Sequence, residues 1–411
     1  MIDYGGKKDK MPRLIILACI AFIVVGLGQL VVGAVMEPMV QDYGIDYSAG
    51  GQLVMHQFLG GMVGVMLTPW LIGKVGKRRL LLAALTIMTV AELVYVMQPP
   101  WAVMLTVGPF AGLGFGTTEA VVASFIIGAA GANANVAMSR VEVSFGVGAL
   151  LMPFVGAWLI SIDQWVTAFA FVSALAGITL LLWIFWWPSV LDQPADTKAV
   201  EAAALERSTR TRSRMAAILI SGGLFFLVYV GFEMSIVHYL PSLLVQNNGL
   251  AEATASLSLS VYWGAMVLGR LVSGHIADRW GNGTYMMFTC LVCAVLFVVM
   301  GGVESVNATF VLAFFIGLVM SGMYSIAIVF VNRSVPGMSE RITSLMMVFG
   351  GIGGALMPKF TGWFFDEHGT DATRWLFAVM AVVMLAVIIG ALLLARPSKG
   401  KAAVAAESLS S

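Results

Sequence analysis

Apolar runs long enough to cross a bilayer recur along this chain from Arg13 to Ala395. A helix needs about 20 predominantly apolar residues to span a hydrocarbon layer about 30 Å thick. The sequence predicts twelve such spans, near 13–36, 49–72, 80–98, 102–129, 139–161, 166–187, 214–244, 255–277, 285–302, 308–331, 342–364 and 375–395. Only 11% of residues are charged and 59% are hydrophobic, whereas an ordinary soluble domain carries about 25% charged residues. The chain therefore reads as an all-α membrane protein. The longest stretch between spans, 188–213, leaves no room for a soluble catalytic domain, so any chemistry belongs among the helices.

The N-terminal "MIDYGGKKDKMPR" is basic, but the apolar run after it is long and lacks a small-x-small cleavage site, which predicts an uncleaved first span. Lys and Arg in short loops resist translocation. Placing the N-terminus in the cytoplasm collects Lys7, Lys8, Lys10, Arg13, Lys74, Lys77, Arg78, Arg79, the Arg-rich 188–213 segment, Lys399 and Lys401 on one side. Essentially Arg374 alone remains opposite. The expectation is a protein of the cell (inner) membrane with both termini cytoplasmic, in contact with the lipid bilayer and operating as a monomer. Topology already accounts for the basic residues, so they point to no nucleic acid. Cys290 and Cys293 form a CxxC in "TCLVCAVLFVV", which offers no polar access for a metal or redox pair. With Cys19 they are read as packing, and no cofactor or metal is expected.

A repeat organises the spans. "PWLIGKVGKRR" (69–79) lies between spans 2 and 3 and "GHIADRWGNG" (274–283) between spans 8 and 9, with Gly76 and Gly281 separated by 205 residues. "GALLMP" (148–153) and "GGALMP" (353–358) share that offset. Two landmarks with one offset predict two parallel-repeat six-helix bundles, 13–187 and 214–396, joined by the 188–213 linker and flanked by tails 1–12 and 397–411. In the loops, Gly274 permits close helix approach, Asp278 can pair with an Arg or cap a helix end, and Gly281 turns the chain. With Gly76, Arg78, Arg79 and Arg279 these form an expected conformational latch. In the first copy Gly73 replaces the aspartate, and there the basic residues also read as topology determinants alone.

With these landmarks the chain resembles the major facilitator superfamily across nearly its whole length. Three segments, "GLGFGTTEAVVASFIIGAAGANANVAMSRVEVSFGVGALLMP" (112–153), "YVGFEMSIVHYLPSLL" (229–244) and "YWGAMVLGRLVSG" (262–274), resemble its fucose/galactose/glucose proton-symporter group, above all the bacterial glucose/mannose:proton branch. That resemblance implies a glutamate in span 4 carrying the coupling proton. The fucose branch also has an aspartate in span 1, where this chain offers Gln29 and, at the outer end, Glu37.

Four carboxylates lie within spans, and an ionised side chain in hydrocarbon costs several kcal/mol, so each needs a reason. Glu92 is about six residues from the outer end of span 3, within snorkelling reach of the interface. Glu142 sits near the inner end of span 5 and reads equally as a gate and as an interfacial acid. Glu119, about eleven residues from one end of span 4 and seventeen from the other, cannot snorkel. It is the candidate proton carrier with Glu142, against structural hydrogen bonding or a cation-substrate site. Glu233 in span 7 reads as a hydroxyl-binding or a structurally paired acid. His56 and His238 lack i,i+4 partners for a metal and read as satisfied core residues. Arg270 is expected to balance one of the acids.

A small polar substrate such as a hexose would be held by amide and carboxylate hydrogen bonds with an aromatic face. Gln29, Gln57, Glu233, Tyr262, Trp263 and Tyr324 are the candidates, and Gln57 and Tyr262 correspond under the 205 offset. The 26 methionines suit a greasier, adaptable cavity. The leading expectation is thus a secondary transporter importing a hexose with a proton. The alternatives are a proton-driven exporter of drugs or amphipathic metabolites and a non-transporting membrane receptor. The Gly-rich "GLGFG" and "GGIGGA" follow no strand and signal helix packing, not nucleotide binding. No nucleophile–base or metal-ligand cluster marks an enzyme.

Overall fold

The computed structural model describes residues 10–130, 134–188, 191, 212–334 and 339–395. The tail 397–411, the tail 1–12 before Lys10 and nearly all of the 188–213 linker lie outside the described residues. The helices are α1 (Lys10–Ala34), α2 (Met36–Tyr43), α3 (Tyr47–Val75), α4 (Lys77–Val96), α5 (Trp101–Ala130), α6 (Ala134–Ser161), α7 (Thr167–Phe185), α8 (Arg212–Asn248), α9 (Glu252–Trp280), α10 (Asn282–Gly302), α11 (Val306–Met320), α12 (Met323–Ser334) and α13 (Ser339–Ala395). Among the described residues eleven helical stretches are long and apolar enough to cross a membrane. One of them, Leu345–Leu394, is broken at Gly369, where φ is 77°, and so supplies two spans. α11 and α12 together make the tenth span. The twelve expected spans are all present.

Local chemistry sets the ends. Asp46 caps α3 by accepting from the Ala49 amide at 2.6 Å, and Gly44 closes α2 in the left-handed conformation with its amide bonded to Gln41 and Val40. Gly76 and Gly281 both carry positive φ, 82° and 81°, in the two short loops of the repeat. The "GLGFG" string is a packing surface, as expected: a Cβ at Gly112 would strike the Gln57 carbonyl and one at Gly116 the Gly61 carbonyl, so α3 and α5 touch backbone to backbone. Large apolar side chains such as Leu268, Leu271 and Phe185 stay exposed on the perimeter, where lipid covers them.

The 205 offset also governs contacts between the two six-helix bundles. α6 meets α9 with Gly146 against Val267, and α13 meets α3 with Gly351 against Met62. Ser256 donates to the Pro153 carbonyl, and Gly51, its counterpart, abuts the Pro358 carbonyl. Each pair maps onto the other by the same shift. The seam between the bundles therefore has a pseudo-two-fold axis.

Candidate functional site

Charge gathers at this seam. Glu119 on α5 is partly exposed, and its carboxyl accepts a hydrogen bond from the Gln29 amide on α1. Glu142 on α6 is exposed and interacts electrostatically with Glu119. Across the seam, Arg270 on α9 interacts with both Glu142 and Glu233, which identifies the acids it balances. Arg270 approaches Gly146 on the opposite bundle and lies 6.0 Å from the Trp263 ring centroid. It closes to no carboxylate within 4 Å; among the described residues that distance is met only by Arg374 and Asp371, at 3.6 Å. Its charge is shared.

Glu233 on α8 is 7% exposed and accepts from the Tyr229 hydroxyl at 3.3 Å, while the same hydroxyl lies 3.3 Å from the Met320 carbonyl. Tyr324 on α12 interacts with Glu119, Glu142 and Glu233, joining the acids of both bundles. Tyr262 is buried beside Glu233 and Arg270, its hydroxyl 3.7 Å from the Met320 sulfur. Among the described residues the cluster sets three carboxyls against one guanidinium. Two negative charges deep in a bilayer without compensation are costly, so this arrangement favours taking up protons or a cation.

The two ends of the seam differ. At the end remote from Gly76 and Gly281, Gln246 donates to Glu37 at 2.7 Å, and Glu37 also accepts from Tyr47 and Gln41. Asp366 accepts from the amides of Tyr47 at 3.0 Å and Ser48 at 2.7 Å, so α13 supplies an anion to the N-terminus of α3. Lys359 donates to Ser48, and Tyr239 to the Tyr47 carbonyl. On the basic side of the acid cluster no hydrogen bond joins the bundles among the described residues. The molecule is tied shut at one end and accessible to Glu142 from the other.

This geometry, twelve spans in two parallel repeats around a polar seam, matches what comparison finds. The sequence profile of the Major Facilitator Superfamily matches residues 18–301 and 222–409. The chain belongs to that superfamily. Among curated proteins it is similar to the glucose/mannose transporter GlcP of Bacillus subtilis (strain 168), 24% identical over 372 residues, covering 89% of this chain and 91% of that one. Among solved structures it is similar in fold to a D-xylose-proton symporter, with a TM-score of 0.75 at 14% identity, covering 92% and 97% of the two chains. It is likewise similar to the nucleoside transporter NupG, with a TM-score of 0.73 at 15% identity and coverage of 93% and 99%. The superfamily is one of transporters rather than enzymes, and the chain is a multi-pass membrane protein.

Within this superfamily fold the remaining candidates separate. Trp263 is buried at the seam, edge-on to Phe145 at 6.2 Å, with its indole N–H unpartnered. Gln57 is 6% exposed and lies near Tyr95 of its own bundle, with its amide nitrogen and the Tyr95 hydroxyl both lacking a hydrogen-bond partner. In the first loop Arg78 donates to the Ile184 carbonyl at 3.2 Å and lies over Trp187, whereas Arg79 is exposed. In the second, Asp278 and Arg279 are exposed, and Asp278 has no partner among the described residues. Gly274 faces open space, so the close helix approach expected of it is not made.

Two other expectations change. Glu92 does not snorkel: it is 0% exposed with both oxygens unpartnered, because it turns into the bundle. His238 is not satisfied, since neither ring nitrogen has a partner, whereas His56 bonds the Leu105 carbonyl at 2.8 Å. Tyr229 was absent from the candidates; its place four residues before Glu233, on the same helix face, was the available signal. Cys290 and Cys293 are buried free thiols, and Cys19 is partly buried.

Proposed function

We propose that this superfamily member is a proton-coupled importer of a hexose or related small polar solute, acting as a monomer. It works by alternating access, with its basic end and both termini on the cytoplasmic side of the cell membrane. The bundles 13–187 and 214–396 rock about the seam, and the Gly76 and Gly281 loops act as the latch. The observation that carries the reading is the seam cluster, in which Glu119, Glu142 and Gln29 face Arg270, Glu233 and Tyr324. It combines hydrogen-bonding groups for hydroxyls with more acid than base, and a proton relieves that imbalance. The sugar named for the Bacillus relative and the proton named for the xylose symporter support the same assignment.

In this reading Glu119, held by Gln29, carries the proton, and Glu142 exchanges it with Arg270 as the counter-charge. Glu233 and Tyr324 bind the solute, with Tyr262 and Trp263 walling the site. Gln57, whose buried amide nitrogen has no partner, is a further solute contact. Counterflow of labelled sugars in proteoliposomes tests the substrate, and uptake driven by an imposed pH gradient tests the coupling. Exchange of glucose or mannose with acid-driven accumulation is expected. The thioethers of Met266 and Met320 beside Arg270 and Tyr262 favour one competing reading, an exporter of amphipathic compounds. Dye efflux driven by the gradient, with no sugar exchange, would establish it instead.

A further inference from the structure

His238 lies where α8 presses on α1. Its side chain is 0% exposed and both ring nitrogens are unpartnered. A Cβ at Gly33 would come within 2.7 Å of Nδ1 and 2.9 Å of the Val237 carbonyl, so no water separates the helices there. Positions 33 and 238 differ by the repeat offset of 205, which puts the ring on the pseudo-two-fold axis itself. Any opening of the seam at its outer end must part this contact.

The neighbourhood makes the ring's state depend on that opening. Toward the outside stands the Glu37–Gln246 tie, and toward the inside Glu233 and Gln29. The titratable and charged groups on the helices around this part of α8 are Glu37, Asp42 and Tyr43 on α2, Glu252, Tyr262 and Arg270 on α9, Tyr324 on α12, Lys359 and Asp366 on α13, and Tyr229, Glu233 and Tyr239 on α8. None of them acts on the imidazole. A buried polar group without a partner costs about 1–3 kcal/mol, and an unpaired charge in the same place costs more. The sealed contact therefore tolerates a neutral ring and rejects an imidazolium.

We propose that His238 is a second proton-binding site, separate from Glu119, which takes a proton from the outer solution only when α1 and α8 part. Protonation holds the outer end open, and closure returns the proton to the outer water. External acid thus slows closure of the unloaded carrier, while solute binding must drive the ring to give the proton up. The inference rests on the alternating-access reading above.

Spin labels on Ser161→Cys and Ser305→Cys, exposed outer positions in different bundles, report the opening by pulsed electron resonance. Cys19, Cys290 and Cys293 are replaced by serine, and Glu119→Gln removes the coupling acid. Between pH 8 and 5 the ratio of long to short distances is expected to rise, by at most about tenfold per pH unit for one linked proton. That rise should vanish in both His238→Leu and His238→Gln, the second keeping a polar side chain should the first fold poorly. An equal pH response in either well-folded variant overturns the proposal, as does a flat response in the parent. A single distance at every pH and with every sugar overturns alternating access as well, which separates the two failures.

Discussion

At position 119 the N-terminal bundle has a glutamate, and at the corresponding position 324 the C-terminal bundle has a tyrosine. The same shift takes Gln57 to Tyr262, Phe58 to Trp263 and Gly33 to His238, while Arg270 has Val65 as its counterpart. By contrast Gly146 and Gly351, Pro153 and Pro358, and Gly76 and Gly281 keep both identity and role. Gly76 and Gly281 are retained where φ is positive, and Gly146 and Gly351 where a helix of the other bundle packs against them. Divergence reaches even tight positions, since Gly33 is pressed against its own counterpart His238. One bundle thereby supplies two seam acids, and the other the guanidinium, a third acid and most of the aromatic surface. Like scaffolds carry unlike chemistry.

The sharpest test of that division compares counterparts. Glu119→Gln should abolish proton-driven accumulation while downhill exchange survives, because glutamine keeps the hydrogen bond to Gln29 and loses titration. Tyr324→Phe should lower apparent affinity a few-fold, a loss of about 1 kcal/mol, with accumulation intact. Uptake and exchange measured side by side decide it, and loss of accumulation in both variants would erase the distinction between the bundles.

Arg270→Gln should come next in size. It leaves Glu142 and Glu233 without their shared cation, at a cost on the order of 2 kcal/mol, discounted because Glu142 is solvated. Exchange should fall more than tenfold, and Glu233→Gln placed on top should restore part of it. A double variant no better than the single would show that the arginine acts on something other than these acids.

The shared scaffold predicts equal damage on both sides. A Cβ at Gly148 would strike the Ile23 carbonyl and one at Gly353 the Leu227 carbonyl. Gly148→Val and Gly353→Val should each lose about 1–3 kcal/mol, seen as matched falls in thermal midpoint in detergent. Tolerance of one and not the other would break the structural equivalence.

The smallest effect belongs to the tied end. Gln246→Ala removes one of three hydrogen bonds on Glu37 and should cost about 0.5–1.5 kcal/mol. Distance measurements across the tied end should show a several-fold rise in the open population. No change would mean that the Asp366 and Lys359 contacts alone hold this end.

Spans, repeat and the glycine turns of the two short loops were legible because membrane physics writes them locally. About twenty apolar residues, a Gly at positive φ and an excess of Lys and Arg are readable one segment at a time. Glu119 was legible for the same reason, since distance from both ends of a span rules out snorkelling. Glu92 misled for a related one: depth along a helix was readable, but the direction its side chain turned was not. Arg270 could be seen to need an acid without revealing which, because Glu142 and Glu233 are 128 and 37 residues away in sequence. His238 reads in sequence like any core histidine, because its contact with Gly33 joins residues 205 positions apart.

What the sequence determined by itself is the number of crossings, the two-fold repeat and the list of polar groups that must find partners in a membrane. Each follows from the cost of exposing backbone or charge to hydrocarbon, and that cost is paid segment by segment. Tertiary structure alone decided which of those groups meet. Rotation of each helix about its axis and the pairing of α3 with α13 and α6 with α9 are set by small-residue contacts between segments far apart in the chain. Those contacts share Arg270 between two acids, close the end bearing Glu37 and leave His238 dry on the axis.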